Sequence, residues 1–92
     1  MAYDQDGQVT GMGDGSIHWG RIESLNTRAG NDRPTFGFIA GDDGGRSYFF
    51  VPSGMQVTSP HTFDQLTEGM RVMFILIAHP KGPRAIEIRT VG

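Results

Sequence analysis

Thr35-Phe36-Gly37-Phe38-Ile39 and, nine residues on, Tyr48-Phe49-Phe50-Val51 are two short runs of aromatic and β-branched residues around the turn Gly41-Asp42-Asp43-Gly44-Gly45. Runs of this kind on either side of an Asp-Gly turn read as a β-hairpin. Alternate side chains of a strand share a face. Phe36 and Phe38 therefore project together, and Gly37 and Ile39 turn the other way. Pairing the strands adds Phe49 to the first face and leaves Tyr48 and Phe50 for the interior. Three phenylalanines on one outer face are either covered or used as a stacking surface. Unpaired nucleic-acid bases are the usual guests of such a surface.

The rest of the chain continues in the same all-β manner. Residues 1–16 are rich in glycine and aspartate and poor in apolar side chains, which reads as a flexible tail preceding one domain over 17–92. Gly11-Met12-Gly13-Asp14-Gly15 has neither a strand before it nor a helix after it, so a phosphate loop is set aside. A first strand is expected over about Ile17–Thr27, with Gly20 as its bulge. A long polar loop, 28–34, ends at Pro34. Pro52-Ser53-Gly54 closes the third strand, and a loop then runs through Pro60, His61 and Phe63 to Gln65. A fourth strand is expected over Met70–His79, apolar on both faces at its centre. Pro80-Lys81-Gly82-Pro83 then turns into a fifth at about Arg84–Val91. Five short strands divided by turns point to a small closed barrel, because closure removes exposed edges.

Composition narrows the chemistry. The chain has 92 residues and no cysteine, so disulfide scaffolds and thiolate metal sites are excluded. The apolar stretch Val72–Ala78 is far too short for a membrane-spanning helix, no membrane partner is expected, and a reducing, cytoplasmic setting is the default. The net charge is −2. Asp4, Asp6 and Asp14 all lie in the first sixteen residues, so the remainder carries eight basic and seven acidic residues, a net of +1. Few phosphates can be neutralised by such a domain, and any affinity for nucleic acid must rest substantially on stacking.

Four segments in order resemble the bacterial cold-shock domain, a five-stranded antiparallel OB-fold barrel that binds single-stranded RNA and DNA. Phe36-Gly37-Phe38-Ile39 matches the family's first ribonucleoprotein-type motif, and Phe49-Phe50-Val51 sits at the second. Leu66 to Phe74 resembles the Leu-x-Glu-Gly-Gln-x-Val-x-Phe segment, and Lys81-Gly82-Pro83-Arg84-Ala85 resembles the Lys-Gly-Pro-x-Ala turn. The resemblance runs from about Gly20 to Val91. It implies base stacking on Phe36, Phe38, Phe49 and Phe63, with Arg46, Lys81 and Arg84 beside backbone-contact regions. It also implies an RNA-chaperone action in which unpaired strands are trapped and hairpins disfavoured.

The departures matter as much. The family's Lys-Trp-Phe-Asn is here Glu23-Ser24-Leu25-Asn26, which removes a lysine and a stacking tryptophan. Pro34-Thr35 replaces a Lys-Gly pair, and Val51-Pro52 replaces the His and Phe of the second motif. The first hairpin loop is several residues longer than in the family. Stacking contributes roughly 1–3 kcal/mol per base, so binding weaker than in typical members is expected.

Each residue has a plainer reading. The three rings could be covered by the tail, the long loop or a protein partner, including a second copy. That makes a protein-interaction module the alternative, favoured by Glu23 and the acidic balance. Phe63 could pack on its own barrel, and Trp19 reads as a barrel-end packing residue. Arg28 and Arg33 are phosphate contacts or solvated loop charges. His18, His61 and His79 lack metal-site spacing, Asp42-Asp43 lacks the spaced ligands of a calcium loop, and no cofactor is implied. Ser53 and His61 lie in loops with no orienting third group, so an enzyme is not expected.

Overall fold

The computed structural model describes residues 15–44 and 46–91. The tail expected over residues 1–16 falls outside them except for Gly15 and Ser16. Gly15 already donates its N–H to the Leu76 carbonyl at 2.9 Å.

Five strands form among the described residues: β1 (Ile17–Asn26), β2 (Phe36–Gly41), β3 (Ser47–Phe50), β4 (Arg71–Ile77) and β5 (Arg84–Thr90). They close into a barrel in the order β1-β2-β3-β5-β4. Every pairing is antiparallel except the one that closes the barrel, where β3 and β5 run parallel and Phe49 lies opposite Arg84. Closure leaves no sheet edge open, which a domain with such short strands needs.

Alternation fills the interior. In β4 Val72, Phe74 and Leu76 are buried and their neighbours face outward. Ile22, Ile39, Tyr48, Phe50, Ala85 and Ile88 meet them from the other strands. The Tyr48 and Phe74 rings lie 5.7 Å apart. Burial pushes the Tyr48 phenol above its ordinary pKa, and so does the nearby Asp43 carboxylate, which accepts its hydrogen bond at 3.2 Å.

Three sequence expectations change. The irregularity in β1 lies between Ile22 and Ser24, not at Gly20. Gly20 instead serves close approach, because a Cβ there would collide with the Ala40 carbonyl of β2. The connection after β3 is not a plain loop: it forms 3-10 turns at Pro52–Gly54 and Phe63–Gln65. Trp19 is no packing residue, since 41% of it is exposed, with the Arg71 guanidinium 5.6 Å from its ring.

Candidate nucleic-acid interface

The register of β2 and β3 assembles the aromatic face. Phe38 pairs with Phe49, and Gly37 pairs with Phe50. Phe36, Phe38 and Phe49 are half-buried on the outer side, while Gly37 and Phe50 are buried beneath. The ring centroids lie 5.7 Å apart for Phe36–Phe49 and for Phe38–Phe49, and 6.1 Å apart for Phe36–Phe38. Gly37 makes this arrangement possible. A Cβ there would lie 2.7 Å from the Phe50 ring and 2.8 Å from the Ser24 carbonyl, so the inner ring occupies the space a side chain would need.

Cations border the rings on two sides. The Arg84 guanidinium lies over Phe49 at 5.1 Å from its centroid, placed there by the β3–β5 closure. Arg28 lies over Phe36 at 5.7 Å. The loop carrying it is shaped by hydrogen bonds from the Arg28 N–H to Thr35 Oγ1 and from the Asn31 N–H to the Arg28 carbonyl. Between this loop and the β4–β5 turn lies a cleft of about 410 Å³ lined by Arg28, Phe38, Phe49, His79, Lys81, Gly82, Pro83 and Arg84. Among the described residues, none that lines it carries a carboxylate.

The remaining sequence candidates separate from this cluster. Phe63 is 5% exposed and packs 5.4 Å from Phe50, so it belongs to the core and not to the stacking surface. Its 3-10 turn sends Phe63 and Leu66, three apart, to the same buried side, and a capping box between Thr62 and Gln65 fixes the turn. Arg33 is held by Asp64 at 2.8 Å, which ties the long loop to that turn instead of to the cleft. Arg46 lies at the β2–β3 turn, where its charge bears on Tyr48. Glu23 reaches across the outer face and accepts a hydrogen bond from Ser47 at 2.5 Å. Ser47 stands two residues from Phe49, about 7 Å along the strand, so a negative charge borders the platform at that end. His61 bonds Thr90 through Nδ1 at 2.8 Å.

The family model of the 'Cold-shock' DNA-binding domain matches residues 20–91. The chain belongs to the cold-shock domain family. Nucleic-acid binding is what that family does, and it is not a family of enzymes. A search of the curated proteins finds no match.

Two contributors to the cleft are not settled by the sequence. Arg28 reads equally as a phosphate contact or a solvated loop charge, because nothing in a loop's composition tells which way it folds. His79 by itself carries no signal for a place in this cleft beyond its lack of metal-site spacing. The Lys-Gly-Pro turn could have drawn attention to it, since a tight turn places its flanking residues beside one another.

Proposed function

We propose that this protein binds single-stranded RNA or DNA, stacking bases on Phe36, Phe38 and Phe49 and holding backbone phosphates with Arg28, Lys81 and Arg84. The observation that carries this reading is the half-exposed ring triad bordered by a cleft rich in cations and, among the described residues, lined by no carboxylate. In free protein two of the rings lie under guanidinium groups, a contact of about 0.5–1 kcal/mol at an exposed site. A base gains roughly 1–3 kcal/mol from an aromatic platform, so it displaces the guanidinium toward the adjoining phosphate. Arginine is suited to both positions because its planar group stacks on rings and forks onto phosphate oxygens.

The reading extends to an RNA-chaperone action in the cytoplasm. Bases held on the rings are withdrawn from hairpins without any nucleotide being consumed. Binding is weaker than in family members that carry the tryptophan, histidine and lysine this chain lacks, and Glu23 adds repulsion at one end of the platform. Three cations on a single strand correspond to a slope of log K against log salt of about −2.

The test is a titration of labelled oligo-dT and oligo-U by anisotropy at low salt, with wild type and a Phe36→Ala/Phe38→Ala variant. Loss of affinity in the variant is expected. Equal affinities for the two proteins would end the stacking reading.

A second reading, a protein-interaction module, is favoured by one feature on the other side of the barrel. Ile17, Trp19, Met73, Ile75, Ile77 and Ile86 form a continuous outer apolar strip through the β1–β4 and β4–β5 pairings, with Ile17 58% exposed. Sedimentation of the protein at rising concentration tests it, with a stable oligomer weakened by Ile75→Ser as the supporting result.

A further inference from the structure

The distribution of paired and unpaired cations says more about the ligand than stacking does. Arg33 and Arg71 are neutralised by Asp64 and Asp42, both within 2.8 Å. Arg21 and Arg89 lie elsewhere on the barrel, bonded to the Gly69 carbonyl and the Thr58 hydroxyl. Arg28, Lys81 and Arg84 make no ion pair with any described residue, and all three line one cleft. In a chain of net charge −2, this concentration of positive charge without a carboxylate partner among the described residues is local.

An internal phosphodiester brings one negative charge to such a place. A phosphate monoester brings roughly −1.5 to −2 near neutral pH, with three oxygens to accept hydrogen bonds. Cations that converge without a carboxylate among them match the doubly charged group better. Arginine forks bind phosphate oxygens in pairs, and lysine acts as a point charge. His79 adds a further donor. Its Nδ1 accepts the Lys81 N–H at 3.2 Å, so the neutral ring carries its proton on Nε2. The cleft volume of about 410 Å³ lies in the range of small-ligand sites, and the Gly82-Pro83 turn walls one side of it.

We propose that this cleft receives the phosphorylated end of a single strand, a terminal phosphate monoester whose neighbouring bases lie on Phe38 and Phe49. The inference rests on the stacking reading above and deepens it: the protein distinguishes a phosphorylated terminus from a hydroxyl terminus. The phosphate could belong to a 5′ or a 3′ end, and the chemistry recognised is the same.

The test compares three forms of one hexathymidylate: both ends hydroxyl, 5′-phosphate and 3′-phosphate. Affinities are measured at low salt for wild type, Lys81→Gln, Arg84→Gln and Arg33→Gln. One phosphorylated form should bind about fivefold tighter than the hydroxyl form, the order expected of one added charge pairing at a partly exposed site. That preference should disappear in Lys81→Gln and Arg84→Gln and survive in Arg33→Gln, whose side chain is paired outside the cleft. Amide shifts of His79, Lys81, Gly82 and Arg84 should move further with the preferred form than with the hydroxyl form. Equal binding of all three forms overturns this inference and leaves the stacking reading standing. A preference that persists in the Lys81 and Arg84 variants also overturns it, since the charge would then be felt elsewhere. Failure of every form to bind overturns the stacking reading, and this inference with it.

Discussion

The barrel has two apolar outer faces, and they are built from different materials. On β2 and β3 the exposed groups are phenyl rings, seated over a glycine and bordered by arginines that have no carboxylate partner among the described residues. On β4 and its neighbours they are mainly isoleucines with Met73 and Trp19. Arg71, the arginine beside Trp19, is neutralised by Asp42 at 2.7 Å. The depression there is the larger of the two, about 510 Å³, but Asp42 and Asp43 line it. Hydrophobic exposure alone therefore does not choose a ligand. A ring face whose cations have no carboxylate partner among the described residues suits a base and its phosphate, while a mainly aliphatic face, with one indole whose neighbouring arginine is already held by Asp42, offers a polynucleotide less stacking and less free charge.

The contrast can be broken most sharply by exchanging what each face exposes. Phe36→Ala/Phe38→Ala should lower single-strand affinity by about 2–6 kcal/mol, at roughly 1–3 kcal/mol per lost stack, whereas Ile75→Ser should leave it unchanged. An equal loss from both changes would abolish the distinction. Gly37→Ala probes the support beneath the rings. It should destabilise the domain by about 1–3 kcal/mol, read from urea unfolding, because Phe50 has nowhere to move. A neutral result would show that the rings do not depend on this close packing.

Tyr48 ties the core to the turn beyond the rings. Its pKa is raised in the folded state, so the unfolded chain loses the phenol proton first as pH rises. The stabilisation is thus fully present below about pH 10, the unfolded value, and is lost as pH climbs through the folded one. Tyr48→Phe should flatten that alkaline fall while costing about 1 kcal/mol at pH 7, the order of one hydrogen bond. The smallest effect concerns Trp19. It stands five residues before Ser24 on β1, about 17 Å from the pair Ser24–Phe38, so oligonucleotide binding should leave its emission nearly unchanged. Strong quenching would mean that the nucleic acid reaches the other face.

Much of this is legible in the amino-acid sequence. The period-two pattern sorted Phe36, Phe38 and Phe49 from Tyr48 and Phe50, because side chains of a strand have only two directions to take. The same pattern marked β4 as apolar on both sides, and the structure turns that into a second face. Phe63, Arg33 and Arg28 were not legible. All three lie in connections, where no period applies and the partner decides the outcome: Phe50 draws Phe63 inward, Asp64 holds Arg33, and Phe36 receives Arg28.

What the amino-acid order settles alone is local: which stretches extend, where they turn and which rings share a side. Those follow from backbone sterics and alternation, which act between neighbours in the chain. Closure of the barrel settles the rest, because only the parallel contact between β3 and β5 sets Arg84 against Phe49. Thirty-five positions separate those two residues, and only folding makes their rings and charges one site.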